Sequence, residues 1–387
     1  MSTLPSSMTR GIDEELEREA AQAEAGEQRV FVASQLQLSW WKFRKHKLAV
    51  FSAIVIILLY TIAIFADAIA PYDPEKVNPR LTYLPPQSVH IITPEGTWRS
   101  PFVYGYTLTR DAVSLKPTFT RDESQRYGLR LFVEGPPYKL LGLFETRTHL
   151  FGLDDPQQTV HLLGTDRLGR DLLSRTVYGA RVSLSIGLVG VLLSLVLGIV
   201  LGGISGYYGG IVDELIQRLI EFLRSIPAIP LWMGLSAALP KDMSPLRIYF
   251  SITVILSLIG WTSLARVVRG RFLALREEDF VMSAQVAGAS QARIIFRHMV
   301  PAFTSHIIAS LTLAIPGTIL AETALSFLGV GLRSPVNSWG VLLQEAQNIR
   351  TLATASWLLL PAVLVVITVL AFNFLGDGLR DAADPYT

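Results

Sequence analysis

Glu322 is the conspicuous ionisable side chain in this sequence, because it lies inside the apolar run AIPGTILAETALSFLGVG. A carboxylate in such a setting is costly and by default faces a bundle interior, a water-filled path or a partner. Two readings stand side by side: Glu322 lines a translocation route, or it bonds to a neighbouring helix or lies near enough to the interface to be wet. Pro316, followed by Gly317, offers a kink in the same run and joins Glu322 as a candidate path residue. Asp67, near the end of an earlier apolar run, reads as interfacial. The other concentration of reactive types is RVVRGRFLALREEDFVMSAQVAGASQARIIFR, from Arg266 to Arg297. It holds six arginines, three consecutive acids and a central Gly288 between two apolar segments.

Enzyme chemistry is missing from the motif record. No G-x-x-x-x-G-K-[ST] phosphate loop occurs, so the chain is not expected to hold ATP itself. H-E-x-x-H and G-x-S-x-G are absent too. The six histidines (46, 90, 149, 161, 298 and 306) lack metal-ligand spacing, and His298 reads as an interfacial residue. Zero cysteines exclude disulfides, cysteine-ligated zinc and iron–sulfur clusters. No catalytic residue, bound cofactor, metal or nucleic-acid partner is expected.

The elements that must position these residues are membrane helices. Of 387 residues, 50% are hydrophobic and only 17% charged, against roughly 25% in soluble domains. A crossing helix needs roughly 20 apolar residues. Six stretches qualify: Leu48–Ala70, Val182–Ile204, Ile216–Leu239, Ile248–Val268, Ile307–Val330 and Ala355–Leu375. The third is the weakest, since Arg218, Glu221 and Arg224 occupy its first turns and Pro227 and Pro230 interrupt it. Ala68-Ile69-Ala70 resembles a cleavage site. Yet 47 residues precede the first apolar run, so it reads as a retained anchor rather than a signal peptide.

The aromatic and basic segment Trp40–Lys47 places the N-terminus in the cytoplasm by the positive-inside rule. Six crossings return the C-terminus to the same side. Arg266–Arg297 is then cytoplasmic, while the short outer loops carry only Lys241 with Arg247, and Arg333 with Arg350. The division is a cytoplasmic tail 1–39, with a solvated helix at 12–25, and a first span 40–70. An outer region 71–181 follows, then a core 182–377 of five spans with a coupling loop 266–300, and a cytoplasmic tail 378–387. Within the outer region, Pro101–Leu108, Leu129–Val133 and Tyr138–Phe144 read as strands separated by turns such as Gly135-Pro136-Pro137. The fold class is thus an all-α polytopic membrane protein with a small β-rich insertion; an irregular cap on the helix ends is the alternative for the insertion.

Within the island, Asp279–Ala287 forms a short helix with an acidic first turn, and Phe280, Val281 and Ala284 share one side. Gly288 permits the left-handed turn that ends it. A second helix follows over Ala292–Val300, up to Pro301. Such a helix suits docking as a knob in another protein's groove. It equally suits lying on lipid headgroups through Arg293 and Arg297.

These residues resemble the "EAA" loop of ABC importer permeases. Met282-Ser283-Ala284 stands at the E-A-A positions, Gly288 at the glycine and Val300-Pro301 at the closing pair; Met282 replaces the family's glutamate. Further stretches are similar to the C-type subunit of the oligopeptide/dipeptide permease family. They are Trp40–Leu48, Gly164–Asp171 with Ser174-Arg175 and Tyr178–Arg181, Leu325–Gly331 with Ser338–Gly340, and Asn373–Asp381 with Asp384-Pro385. The resemblance implies a type I permease fold and one of two unlike permease subunits sharing a path. It also implies two cytoplasmic ATP-binding subunits that use ATP, and an extracytoplasmic solute-binding protein. Coupling would fall to Asp279, Phe280, Val281, Met282, Ser283, Ala284, Gly288, Arg293 and Arg297. Peptides are the implied cargo, with nickel, opines and oligosaccharides carried by similar permeases. An ATP-independent secondary transporter or channel is the alternative that Glu322 alone would suit.

Overall fold

A computed structural model describes residues 35–93, 96–110, 117–140, 142–153, 155, 158–240 and 242–383. The expected tail helix at 12–25, Lys241 and Asp384-Pro385 lie outside these residues. The described part is mostly helical. The long helices are α2 (Lys47–Ile64), preceded by α1 (Gln35–Lys45), α3 (Leu172–Tyr208), α6 (Pro245–Leu275), α8 (Thr304–Phe327) and α10 (Leu360–Ala383). Between α3 and α6 lie α4 (Gly210–Ser225) and α5 (Ala228–Ala237). The short α7 (Asp279–Val286) follows α6, and α9 (Trp339–Gln344) follows α8.

Five helical segments among the described residues are long and apolar enough to cross a membrane, not six. The stretch expected as the third crossing is split in two. Ile226 is extended (φ −91°, ψ 128°), because the residue before a proline is pushed out of the helical region. Pro227 then starts α5, whose 10 residues span only about 15 Å at 1.5 Å per residue. In α4, Ile220 is buried against Trp261 and Ala265 of α6, while Arg218, on the exposed side, pairs with Glu221 at 3.0 Å.

α3 and α6 form the central pair, and the reason is a stripe of small residues. Gly190, Ser194, Gly198, Gly202 and Gly206 recur every fourth position along α3 and turn towards α6. A Cβ at Gly206 would lie 2.7 Å from the Arg269 carbonyl oxygen, and one at Gly202 would lie 2.8 Å from Ala265 Cα. In a membrane, where apolar burial gives little drive between helices, such close approach is what packs them. α3 starts ten residues before its expected span, at the Asp171 N-cap, which accepts from Ser174 N at 2.7 Å. The outward side of α2 is apolar throughout, with Phe51, Ile54, Ile57 and Leu58 more than half exposed. That surface suits lipid.

Between α2 and α3 in sequence lies a four-stranded antiparallel sheet in the order β1 (His90–Ile92), β2 (Trp98–Arg110), β3 (Pro117–Leu140), β4 (Phe144–Leu153). The expected strand Tyr138–Phe144 instead crosses the β3–β4 connection, where Gly142 adopts φ +72°. The expected turn Gly135-Pro136-Pro137 lies inside β3, as a bulge between Glu134 and Tyr138. Prolines cannot donate to a ladder, so the strand accommodates them where pairing is interrupted. The bulge also seats His149 of β4. A Cβ at position 135 would lie 2.5 Å from its ring, and its Nδ1 sits 2.8 Å from the Ala70 carbonyl beyond α2.

Candidate functional site

The Arg266–Arg297 island is less of a loop than its composition implies. α6 continues two turns past Val268 and carries Arg266, Arg269 and Arg271 on its own axis. Arg269 forms a two-pronged ion pair with Asp213 at the start of α4. This contact holds the Asp213 carboxyl below its usual range, against a smaller opposing effect of burial. Ser205 of α3 donates to the same carboxylate. The clamp thus joins the ends of three helices beside the candidate coupling element.

α7 is the expected short helix. Asp279 opens it, and a two-bond C-terminal stop closes it: Gly288 N donates to Gln285 O at 2.9 Å and Ala289 N to Ala284 O at 3.0 Å. The second bond requires the left-handed Gly288, φ +75°; together they make the glycine-stopped helix end of the Schellman type. Its faces, however, divide differently from the expected one. Val281 is fully buried with Val268, Phe272, Ile294 and Met299, and Ala284 packs against the same cluster. Phe280 is 42% exposed, Met282 46% and Val286 91%, and Ser283 is exposed. Val281 and Ala284 therefore anchor the helix to its own chain. The surface open to a partner is Met282, Ser283 and Val286 with Phe280 at its edge. The i, i+1, i+4 grouping merged an anchor with an edge residue, since one turn of helix cannot reveal which side its own chain covers.

Downstream, Ser290 caps the re-entry segment, accepting from Arg293 N at 3.4 Å. The segment runs Gln291–Ala302 with a π-helical stretch at Ile294–Met299, and α8 begins after Phe303. The wide turn lets Ile294 and Met299 both reach the buried cluster while Phe296 and Arg297 stay exposed, as does Arg293.

Glu322 is fully buried in α8. Ser183 of α3 donates to Oε2 at 3.0 Å and Ser326 donates to Oε1 at 2.8 Å. Each serine also accepts a backbone N–H: Trp339 N reaches Ser183 at 3.1 Å, and Leu332 N reaches Ser326 at 3.0 Å. The carboxylate thus ties α3, α8 and the 332–339 connection into one polar knot. Pro316 is buried in the same helix, which runs through it without interruption.

A second polar cluster went unread except as resemblance. Asp166, fully buried, takes Arg170 Nε at 2.7 Å and also pairs with Arg175. Arg170 reaches Glu75 at 3.4 Å and Glu345 at 3.5 Å. Arg175 Nε donates to Asn337 Oδ1 at 2.9 Å, and Asn337 Nδ2 donates to Glu75 Oε1 at 2.7 Å. Burial, then Asp166, pushes the Glu345 carboxyl above its usual range, with Arg175 and Arg170 pulling it back. This network fastens the segment after α2, the start of α3 and the segments after α8. Only the alternation of Asp and Arg in GTDRLGRD hinted at it, because its other members lie far away in sequence.

Residues 198–387 match the family described as binding-protein-dependent transport system inner membrane component. Residues 34–86 match the N-terminal TM domain of oligopeptide transport permease C. The chain is similar to the oligopeptide transport system permease protein OppC of Salmonella typhimurium, 40% identical over 66% of this chain and 83% of that one. OppC of Bacillus subtilis is 34% identical over 62% and 76%. The dipeptide transport system permease protein DppC of the same organism is 38% identical over 59% and 70%.

Proposed function

The chain belongs to the oligopeptide permease family of binding-protein-dependent transport components, and we propose that it is one of two unlike membrane subunits of an ATP-driven peptide importer. It is a multi-pass inner-membrane protein, and its family is a permease subunit rather than an ATPase. In this reading two partner subunits bind and hydrolyse ATP in the cytoplasm, a solute-binding protein delivers peptide from outside, and a second permease completes the path. Both termini are cytoplasmic. Ile216–Leu239 makes the sixth crossing together with its break at Pro227, and the sheet faces outwards as part of the region 71–181.

The observation that carries the coupling role is the geometry of α7. It is a rigid knob, anchored by Val281, stopped by Gly288, and presenting Met282, Ser283 and Val286. ATP-driven closure of the partners can do work on the spans only through a contact that differs between states, and α7 is tied directly to α6 and α8 through the buried cluster. Arg293 and Arg297 flank it as exposed cations. Docking through Met282 would be apolar, with no carboxylate at that position to add a polar contact.

Glu322 and Pro316 take the packing role in this reading rather than the path-lining one, since the carboxylate is buried and bonded on both oxygens. The ion-driven alternative loses its best residue for the same reason. The test is peptide uptake into vesicles holding the assembled transporter. Uptake should need ATP on the α7 side and the ATP-binding subunits. Uptake driven by an ion gradient alone would overturn the reading.

A further inference from the structure

Two cavities flank the Arg181–Asp67 ion pair, Arg181 lining one and Asp67 the other, and together they have the chemistry of a phospholipid. The lower one is a groove of about 490 Å³ lined by Tyr60, Ala63, Ile64, Leu184, Leu188 and Val189, with Arg181 at its rim. Its flanks, Ile57, Ile64 and Leu188, are exposed apolar side chains. The upper one, of about 310 Å³, lies between the end of α2 and the sheet. Tyr72, Tyr138 and Tyr178 line it with Asp67, Asp73 and His149.

Arg181 lines the lower cavity and joins it to the upper one through Asp67. Its Nε donates to Ala63 O at 2.9 Å, its Nη2 to Ile64 O at 3.0 Å and to Asp67 at 2.8 Å, and its Nη1 to Asp67 at 3.2 Å. The guanidinium thereby caps the carbonyl end of α2, which marks the level where the apolar helix stops. Its side chain is still 37% exposed, and these contacts use four of the five N–H donors of an arginine. Asp67 is compensated by Arg181 and by Tyr178, whose hydroxyl donates at 2.8 Å. Asp73 is exposed, and its carboxylate accepts the Glu75 backbone N–H at 2.9 Å, its one hydrogen bond among the described residues. His149 turns both ring nitrogens to carbonyl oxygens, of Ala70 and Pro136, so neither points into the cavity.

We propose that this seam binds one zwitterionic phospholipid whose headgroup carries a primary ammonium. An acyl chain fills the groove, the phosphate meets Arg181, and the ammonium enters the upper cavity between the tyrosine rings and the Asp73 carboxylate. Order from bottom to top is apolar, cationic, then aromatic and anionic, which is the order of such a lipid read from its tail. An anionic lipid with a glycerol headgroup matches the lower two parts but brings no cation to Asp73 or to the Tyr72 and Tyr138 rings, whereas Tyr178 already has the Arg181 guanidinium 5.4 Å from its ring centre. The site is independent of the transport reading, because it depends on the membrane level alone.

The test uses the transporter complex reconstituted in vesicles of equal parts phosphatidylethanolamine and phosphatidylglycerol, then extracted in mild detergent, with retained lipid counted by native mass spectrometry. The retained lipid should favour phosphatidylethanolamine about fivefold over the bulk ratio, as expected for a cation held against aromatic faces. Leu188→Trp, which fills the groove with another apolar side chain, should remove the retained lipid. Asp73→Asn, which keeps the acceptor for Glu75, should return the headgroup ratio towards bulk while lipid is still retained. Thermal midpoints confirm that both variants are folded. Retention in the bulk ratio by the unaltered protein, undiminished lipid on Leu188→Trp, or an unchanged preference on Asp73→Asn would each overturn the proposal. So would a complex with no retained lipid, the result if a second subunit covers the seam.

Discussion

Single residues carry more of the architecture here than their types announce. Glu322 looked like a path residue because a carboxylate in an apolar run is costly, but the two serines that satisfy it are 139 positions upstream and four downstream. Only the nearer one could be read from sequence. Glu322→Gln should leave uptake within about twofold of the parent, since an amide can still bridge both serines. Glu322→Ala should cost about 1–3 kcal/mol of stability by leaving buried hydroxyls without their acceptor. Uptake assays beside thermal denaturation separate the outcomes, and lost uptake in a fully stable Glu322→Gln protein would restore the path role. At the Asp213–Arg269 clamp the sign of the pH dependence is fixed. A carboxyl held below its usual range contributes stability above the ordinary carboxylate range, and that contribution is lost as pH falls through the depressed value. Asp213→Asn should therefore lower the thermal midpoint at pH 7, with the difference shrinking in acid. An equal difference at both pH values would argue against the pair.

At the scale of elements, the sequence was clearest where the chain is uniformly apolar and least clear where it is mixed. Segments such as Lys47–Ile64 declare themselves by length and composition. The split at Ile226-Pro227 was visible as two prolines, but whether they kink a helix or end it depends on the packing of α4 against α6. The α3–α6 seam was legible in principle: Gly190, Ser194, Gly198, Gly202 and Gly206 repeat every fourth residue. Gly202→Val should cost about 1–3 kcal/mol or more through backbone overlap with Ala265, read as a lower thermal midpoint. A Val at the exposed Gly270, which meets nothing within 4 Å, should be far milder. α7 was placed within a residue of its true limits, yet its faces were misassigned, because the side taken by Ile294 and Met299 is set by a later segment. Val281→Asp should thus impair folding, whereas Val286→Asp should leave a stable protein that binds the ATP-binding subunits about tenfold more weakly, a typical loss for an apolar contact at the centre of an interface. Co-purification yields decide between these outcomes. Gly288→Ala should be intermediate, since the left-handed conformation costs about 1–2 kcal/mol for a side-chain-bearing residue.

For the whole molecule, the matched family segments, 34–86 and 198–387, flank the residues that form the sheet. The permease part and the sheet are nevertheless stitched together: by His149 to Ala70, and by Val160, which packs on Val103 and Leu153 and donates its backbone N–H to the Tyr72 hydroxyl at 2.8 Å. None of these long-range bonds has a local pattern, which explains why the insertion was expected from strand-like runs but its attachment was not. The directional reading, with α7 inside and the sheet outside, is a statement about the entire assembly and can be tested at one position. Because the chain has no cysteine, Val286→Cys introduces a unique thiol on the outward face of α7. In the assembled transporter, a short thiol–amine cross-linker should join it to an ATP-binding subunit, with a yield that changes when ATP is added. A thiol that reacts with a soluble maleimide equally fast with and without the ATP-binding subunits, and forms no cross-link to them, would contradict coupling through α7.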